Sequence, residues 1–85
     1  MPPILSDRER AILDFEGQWR RHAGAKEEAI RAELGLSPAR YYQLLGRLID
    51  EVAALAYDPM LVKRLRRTRD ARHLARLARA SGDRD

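Results

Sequence analysis

Eighty-five residues allow one domain, and a chain this short buries only about 60 to 65% of its unfolded surface, so its stability is modest unless a second copy contributes. The absence of cysteine excludes a disulfide framework and a thiolate metal site. No window approaches the roughly 18 uncharged apolar residues of a membrane span, and the N-terminal residues lack the charged-then-apolar run of a signal peptide, so a cytoplasmic protein with no membrane partner is expected.

The net charge of +4 is unevenly placed. Met1 to Tyr57 holds 8 Lys+Arg against 9 Asp+Glu, whereas Asp58 to Asp85 holds 9 against 4. All the excess positive charge therefore lies in the last third, and concentrated Lys and Arg attract polyanions. Of the 38 hydrophobic residues 13 are Ala, a composition that favours helices and leaves the core to a limited set of Leu, Ile, Val, Phe, Trp and Tyr.

Residues 1–5, with two prolines, read as a flexible arm. Ser6 and Glu9 have the spacing of a capping box and open a first helix from Asp7 to about His22, on which Ile12, Phe15 and Trp19 form one apolar stripe. Gly24 is expected to end it. A short second helix, Lys26 to Leu34, turns Ile30 and Leu34 inward and, at about nine residues, must pack on its neighbours to persist. Gly35 can take the left-handed conformation that stops a helix, and Ser37 followed by Pro38 is a cap with a first-turn proline. Stop and start signals two residues apart predict a helix-turn-helix over Lys26–Asp50. The third helix places Tyr41, Leu44, Leu45, Leu48 and Val52 on one side, with Arg40, Gln43 and Arg47 on the other, and a break is expected near Asp50, itself a usable cap.

Asp58-Pro59 opens a basic helix over residues 59–80. Leu61 and Leu65 share a face, but Leu74 and Leu77 lie more than a quarter turn away. The first half is thus expected to dock and the second to project, pack on another protomer, or order on binding. Residues 81–85 are expected to form a disordered tail. The fold expected is all-α: a compact bundle of four to five helices containing a helix-turn-helix, with residues 6–80 as a single DNA-binding domain.

No chemistry-bearing motif stands out. Neither His22 nor His73 has neighbours that would make it a metal ligand or base, and no phosphate loop, zinc motif or nucleophile motif is present, so no enzyme, metal, cofactor or small-molecule substrate is expected. Two features point instead to double-stranded DNA. If the helix-turn-helix docks in the major groove, Ser37, Ala39, Arg40, Tyr42, Gln43 and Arg47 face base edges, and Arg and Gln can bond G and A respectively. Lys26–Glu51, however, carries 4 basic against 5 acidic residues, poor electrostatics for a DNA reader alone. The basic helix repairs this: Lys63, Arg64, Arg66, Arg67, Arg69, Arg72, Arg76 and Arg79 face the single acid Asp70, and such a run supplies phosphate contacts independent of base sequence.

The runs LSDRERAILDFE, AGAKEEAIRAELGLSPARYYQLL and DPMLVKRLRR resemble a family of small actinobacterial proteins, long described as of unknown function and predicted to carry a helix-turn-helix; the resemblance spans about residues 5 to 72. It implies DNA binding, with a nucleoid-associated role suggested for mycobacterial relatives. LSDRERAIL also resembles the opening of the helix-turn-helix domains of response regulators and sigma factors. Here Arg31 replaces their usual small residue four before the turn glycine, and Tyr41-Tyr42 replaces smaller residues. The function expected is a sequence-tolerant nucleoid-associated factor or transcriptional regulator, with Leu74 and Leu77 as candidates for a homodimer contact. The alternative is a protein-interaction module on the transcription machinery, its basic helix meeting an acidic partner.

Overall fold

Ser6 starts the fold with a reciprocal cap: its hydroxyl accepts from the Glu9 amide at 3.1 Å while its own amide donates to Glu9 Oε1 at 2.8 Å. Such a cap contributes about 1 kcal/mol. The computed structural model describes residues 4–19 and 23–82, and among these there are five α-helices and no strand. They are α1 (Asp7–Gln18), α2 (Ala23–Ala29), α3 (Pro38–Leu48), α4 (Val52–Tyr57) and α5 (Pro59–Gly82), with a π-helical turn, Ile30–Leu34, continuing α2. The all-α architecture is as the composition and caps require.

Helix α1 ends at Gln18, short of the expected His22, which lies outside the described residues along with Arg20, Arg21, residues 1–3 and residues 83–85. Gly24 is not the stop. It lies inside α2, with nothing within 4 Å of where a Cβ would stand, so its lack of a side chain is tolerated rather than used. At Gly35 the sequence signal holds: φ is +66°, the left-handed conformation glycine adopts without a Cβ clash, and its amide donates to the Arg31 carbonyl at 3.1 Å. Ser37 Oγ then accepts from the Arg40 amide at 3.2 Å, with Pro38 in the first turn of α3.

The core joins Leu5, Ile12, Leu13, Phe15, Ile30, Leu36, Tyr41, Leu45, Leu48, Ile49, Ala54, Leu61 and Val62. Leu5 is buried in it, so the last residue of the expected arm is an anchor. Phe15 stacks on Trp19 and meets the Tyr41 ring edge-on, which builds the α1–α3 contact from aromatics. The break after α3 is real, but Glu51 rather than Asp50 occupies the cap position of α4. It also explains why Val52 is 77% exposed instead of extending the α3 stripe: the turn at 49–51 resets the helical phase.

Helix α5 is held against the body over its first three turns and stands exposed from Ala71 on. Leu61 and Val62 are buried and Leu65 packs on the core, whereas every residue from Ala71 to Ala80 is exposed. Its 24 residues make a rod about 36 Å long, and the radius of gyration of 15.0 Å exceeds the roughly 12 Å of a compact chain of this length because of it. The helix continues to Gly82, past the expected end at Ala80.

Candidate nucleic-acid interface

The body-facing stripe of α5 changes chemistry where the helix leaves the body. Leu61, Leu65, Arg69, Arg72 and Arg76 follow one another at spacings of three or four, so the face that is leucine where it docks becomes arginine where it does not. Leu74 and Leu77 fall on the opposite, outward side and are exposed.

The eight cations of α5 are not equivalent. Arg66 Nε donates to the Ile49 carbonyl, an acceptor left open where α3 ends. Arg69 Nη1 lies 2.7 Å from Asp50 Oδ1 and its Nε 3.3 Å from Asp70 Oδ1. The bond to Asp50 is the main cause that holds the Arg69 guanidinium above its already high ordinary value. These two arginines bind α5 to the 49–51 turn. Lys63, Arg67, Arg72, Arg76 and Arg79 are exposed and Arg64 is half-buried, and among the described residues none of these six makes an ion pair.

On α3, Arg40 and Gln43 are exposed and joined to each other, Arg40 Nη1 donating to Gln43 Oε1 at 2.7 Å. Ser37 is exposed but its hydroxyl is engaged as the helix cap. Arg47 borders a small depression with Arg8, Glu9, Leu44 and Glu51. Tyr42 points the other way, into a groove of about 490 Å³ between α3 and the free half of α5. The face predicted as one surface is thus divided: Arg40 and Gln43 in the middle, Arg47 towards α1, and Tyr42 towards α5.

Behind α3 lies a polar group the sequence reading missed. Glu16 is only 8% exposed; it accepts from the Tyr41 hydroxyl at 2.6 Å and pairs with Lys26 Nζ at 2.8 Å. The Lys26 ammonium also lies over the Tyr42 ring, 5.2 Å from its centroid. Burial disfavours the Lys26 ammonium, but Glu16 and the Tyr42 hydroxyl outweigh it, so Lys26 is held above the ordinary lysine range. Tyr41 is pushed well up, first by burial and then by Glu16. The signal was present in the spacing, since Glu16 sits four after Ile12 and three before Trp19, on the apolar stripe itself.

A family model described as a protein of unknown function (DUF3263) matches residues 4–77. The chain belongs to that family. The match covers all five helices except the last residues of α5. None of the curated proteins and none of the solved structures compared with the chain matches it. Among the described residues, no helix is long and apolar enough to cross a membrane, and His73 stands exposed on α5 away from any group of ligands.

Proposed function

We propose that this DUF3263 protein binds double-stranded DNA with little sequence preference, as a nucleoid-associated factor or weak transcriptional regulator. One observation carries the reading: α5 leaves the body as an exposed cationic rod with no acid between Asp70 and Gly82. A helix of this kind gains nothing from packing and repels itself along its length, and a polyanion offsets both deficits. In this reading α2, the turn at Gly35 and α3 act as a helix-turn-helix. Lys63, Arg64, Arg67, Arg72, Arg76 and Arg79 neutralise phosphates, and Arg40, Gln43 and Arg47 set register against base edges. Arg66 and Arg69 contribute indirectly, by fixing the angle at which α5 leaves α3.

The test is titration of a labelled duplex of mixed sequence with the full chain at low salt, followed by fluorescence anisotropy. Saturable binding that an unrelated duplex competes away supports the reading. Absence of binding at low salt refutes it.

A further inference from the structure

The groove between α3 and α5 has a chemistry that phosphate contacts do not exhaust. Leu45, Ile49 and Leu65 give it an apolar strip, its α5 wall carries Arg72 and Arg76, and the Glu16–Lys26 ion pair, already self-neutralised, lines it as well. About 490 Å³ is in the range that accommodates a cluster of inserted side chains.

Gly46 lines the same groove in mid-α3, where glycine is disfavoured relative to alanine. It is exposed, it lacks the positive φ that Gly35 has, and a Cβ there would meet nothing within 4 Å. Nothing in the described chain therefore calls for glycine at this position. A bare backbone in the groove does allow another backbone to come close.

We infer that this groove is the docking site for an amphipathic helix of a protein partner, with apolar side chains over Leu45, Gly46, Ile49 and Leu65 and acidic side chains against Arg72 and Arg76. Charge complementarity selects the occupant. Lys26 and Arg69 have their carboxylates in Glu16 and Asp50, whereas among the described residues Arg72 and Arg76 have none within 4 Å. They stand one turn apart, about 6 Å along the axis, which matches carboxylates three or four residues apart on a helix lying alongside. A phosphate backbone would satisfy the two guanidiniums but leave the apolar strip uncovered, so the acidic amphipathic helix fits better. The helix shares Arg72 and Arg76 with the phosphate contacts of the DNA reading, so the two occupants compete for this stretch of α5. The inference stands or falls on whether the helix binds the groove more tightly than nucleic acid does.

The probe is a labelled designed peptide of about five helical turns, with Leu at i, i+3 and i+7 and Glu at flanking i, i+4 positions. Its binding to the full chain is read by fluorescence anisotropy beside two controls, the same peptide with Gln for Glu and a poly-Glu peptide of equal charge. Saturable binding of the designed peptide, weakened at least about tenfold in both controls, in Gly46→Leu and in Arg72→Glu/Arg76→Glu, supports the inference. Arg8→Glu/Arg31→Glu makes the same charge change away from the groove and should weaken binding less than about threefold. Circular dichroism melts establish that Gly46→Leu remains folded, and Gly46→Ala, which adds only a methyl group, serves as a second variant with a smaller loss. The inference is overturned by absent binding, by equal binding of poly-Glu, by an undiminished Gly46→Leu, or by equal losses in the two double variants. It is also overturned if a tetranucleotide displaces the peptide as well as unlabelled peptide does, which would assign the groove to nucleic acid.

Discussion

The Arg69 guanidinium rests 2.7 Å from the Asp50 carboxylate, joining α5 to the turn that closes α3 across 19 residues of sequence. Together with Arg66 on the Ile49 carbonyl, it sets the direction of the free half of the helix. Both pair members are substantially exposed, so the bond orients more than it stabilises. Arg69→Gln and Asp50→Asn should leave the melting temperature nearly unchanged while speeding amide exchange over residues 66–72. Lys63→Gln and Arg67→Gln, on the outward side, should not alter exchange there. Hydrogen-exchange mass spectrometry separates the two pairs.

The Glu16 group is more costly to disturb because its carboxylate is buried. Tyr41→Phe removes one donor but leaves Lys26, and should destabilise by about 1 to 2 kcal/mol. Lys26→Met leaves a buried carboxylate without its counter-charge and should cost about 2 to 3 kcal/mol. Urea denaturation of the two variants gives the comparison; Lys26→Met as stable as wild type would contradict the assigned role of the pair.

Stability should fall on the alkaline side. Tyr41 is raised by burial and by Glu16, and Tyr57 by its 2.8 Å hydrogen bond to Asp14. Above about pH 10 the unfolded chain loses tyrosine protons that the folded chain keeps, so the unfolded state binds fewer protons and folding stability decreases with pH. Lys26 acts in the same direction, since its raised value also makes the folded state the better proton binder. The contribution is fully present below about pH 10 and is lost above it. Melting temperatures from pH 8 to 12 should decline beyond pH 10, and Tyr41→Phe should decline less steeply.

Arg40 and Gln43 bond each other, so their effects on DNA should not add. Arg40→Ala and Gln43→Ala should each alter preference among duplexes more than mean affinity, with the double variant close to the larger single effect. Lys63→Gln/Arg64→Gln/Arg67→Gln should weaken all duplexes about equally. Competition among several duplexes distinguishes the two sets, and identical behaviour would remove the division between α3 and α5.

Much of the fold is legible in short-range chemistry. Ser6 with Glu9, Gly35, Ser37-Pro38 and Asp58-Pro59 all bound helices as their side chains dictate, the last with Asp58 Oδ1 accepting from the Leu61 amide. These signals act within four residues. Gly24 misleads because glycine tolerates a helix interior as well as a stop, and Val52 because a stripe does not reveal that the helix beneath it has restarted. The candidate site was legible as composition but not as geometry. Counting charges finds the basic helix, yet only the tertiary structure separates Arg66 and Arg69, held by the 49–51 turn, from the six cations left open.

That separation makes the salt dependence of duplex binding the most direct test. Six open cations acting on phosphates predict that the logarithm of affinity falls against the logarithm of salt concentration with a slope of about −5, whereas all eight would give about −7. Lys63→Gln/Arg64→Gln/Arg67→Gln should reduce the slope to about −3, and Arg69→Gln should leave it unchanged. A slope near zero, or one that Arg69→Gln reduces as much as Arg67→Gln does, would contradict the account of α5 as an anchored helix with an open cationic arm.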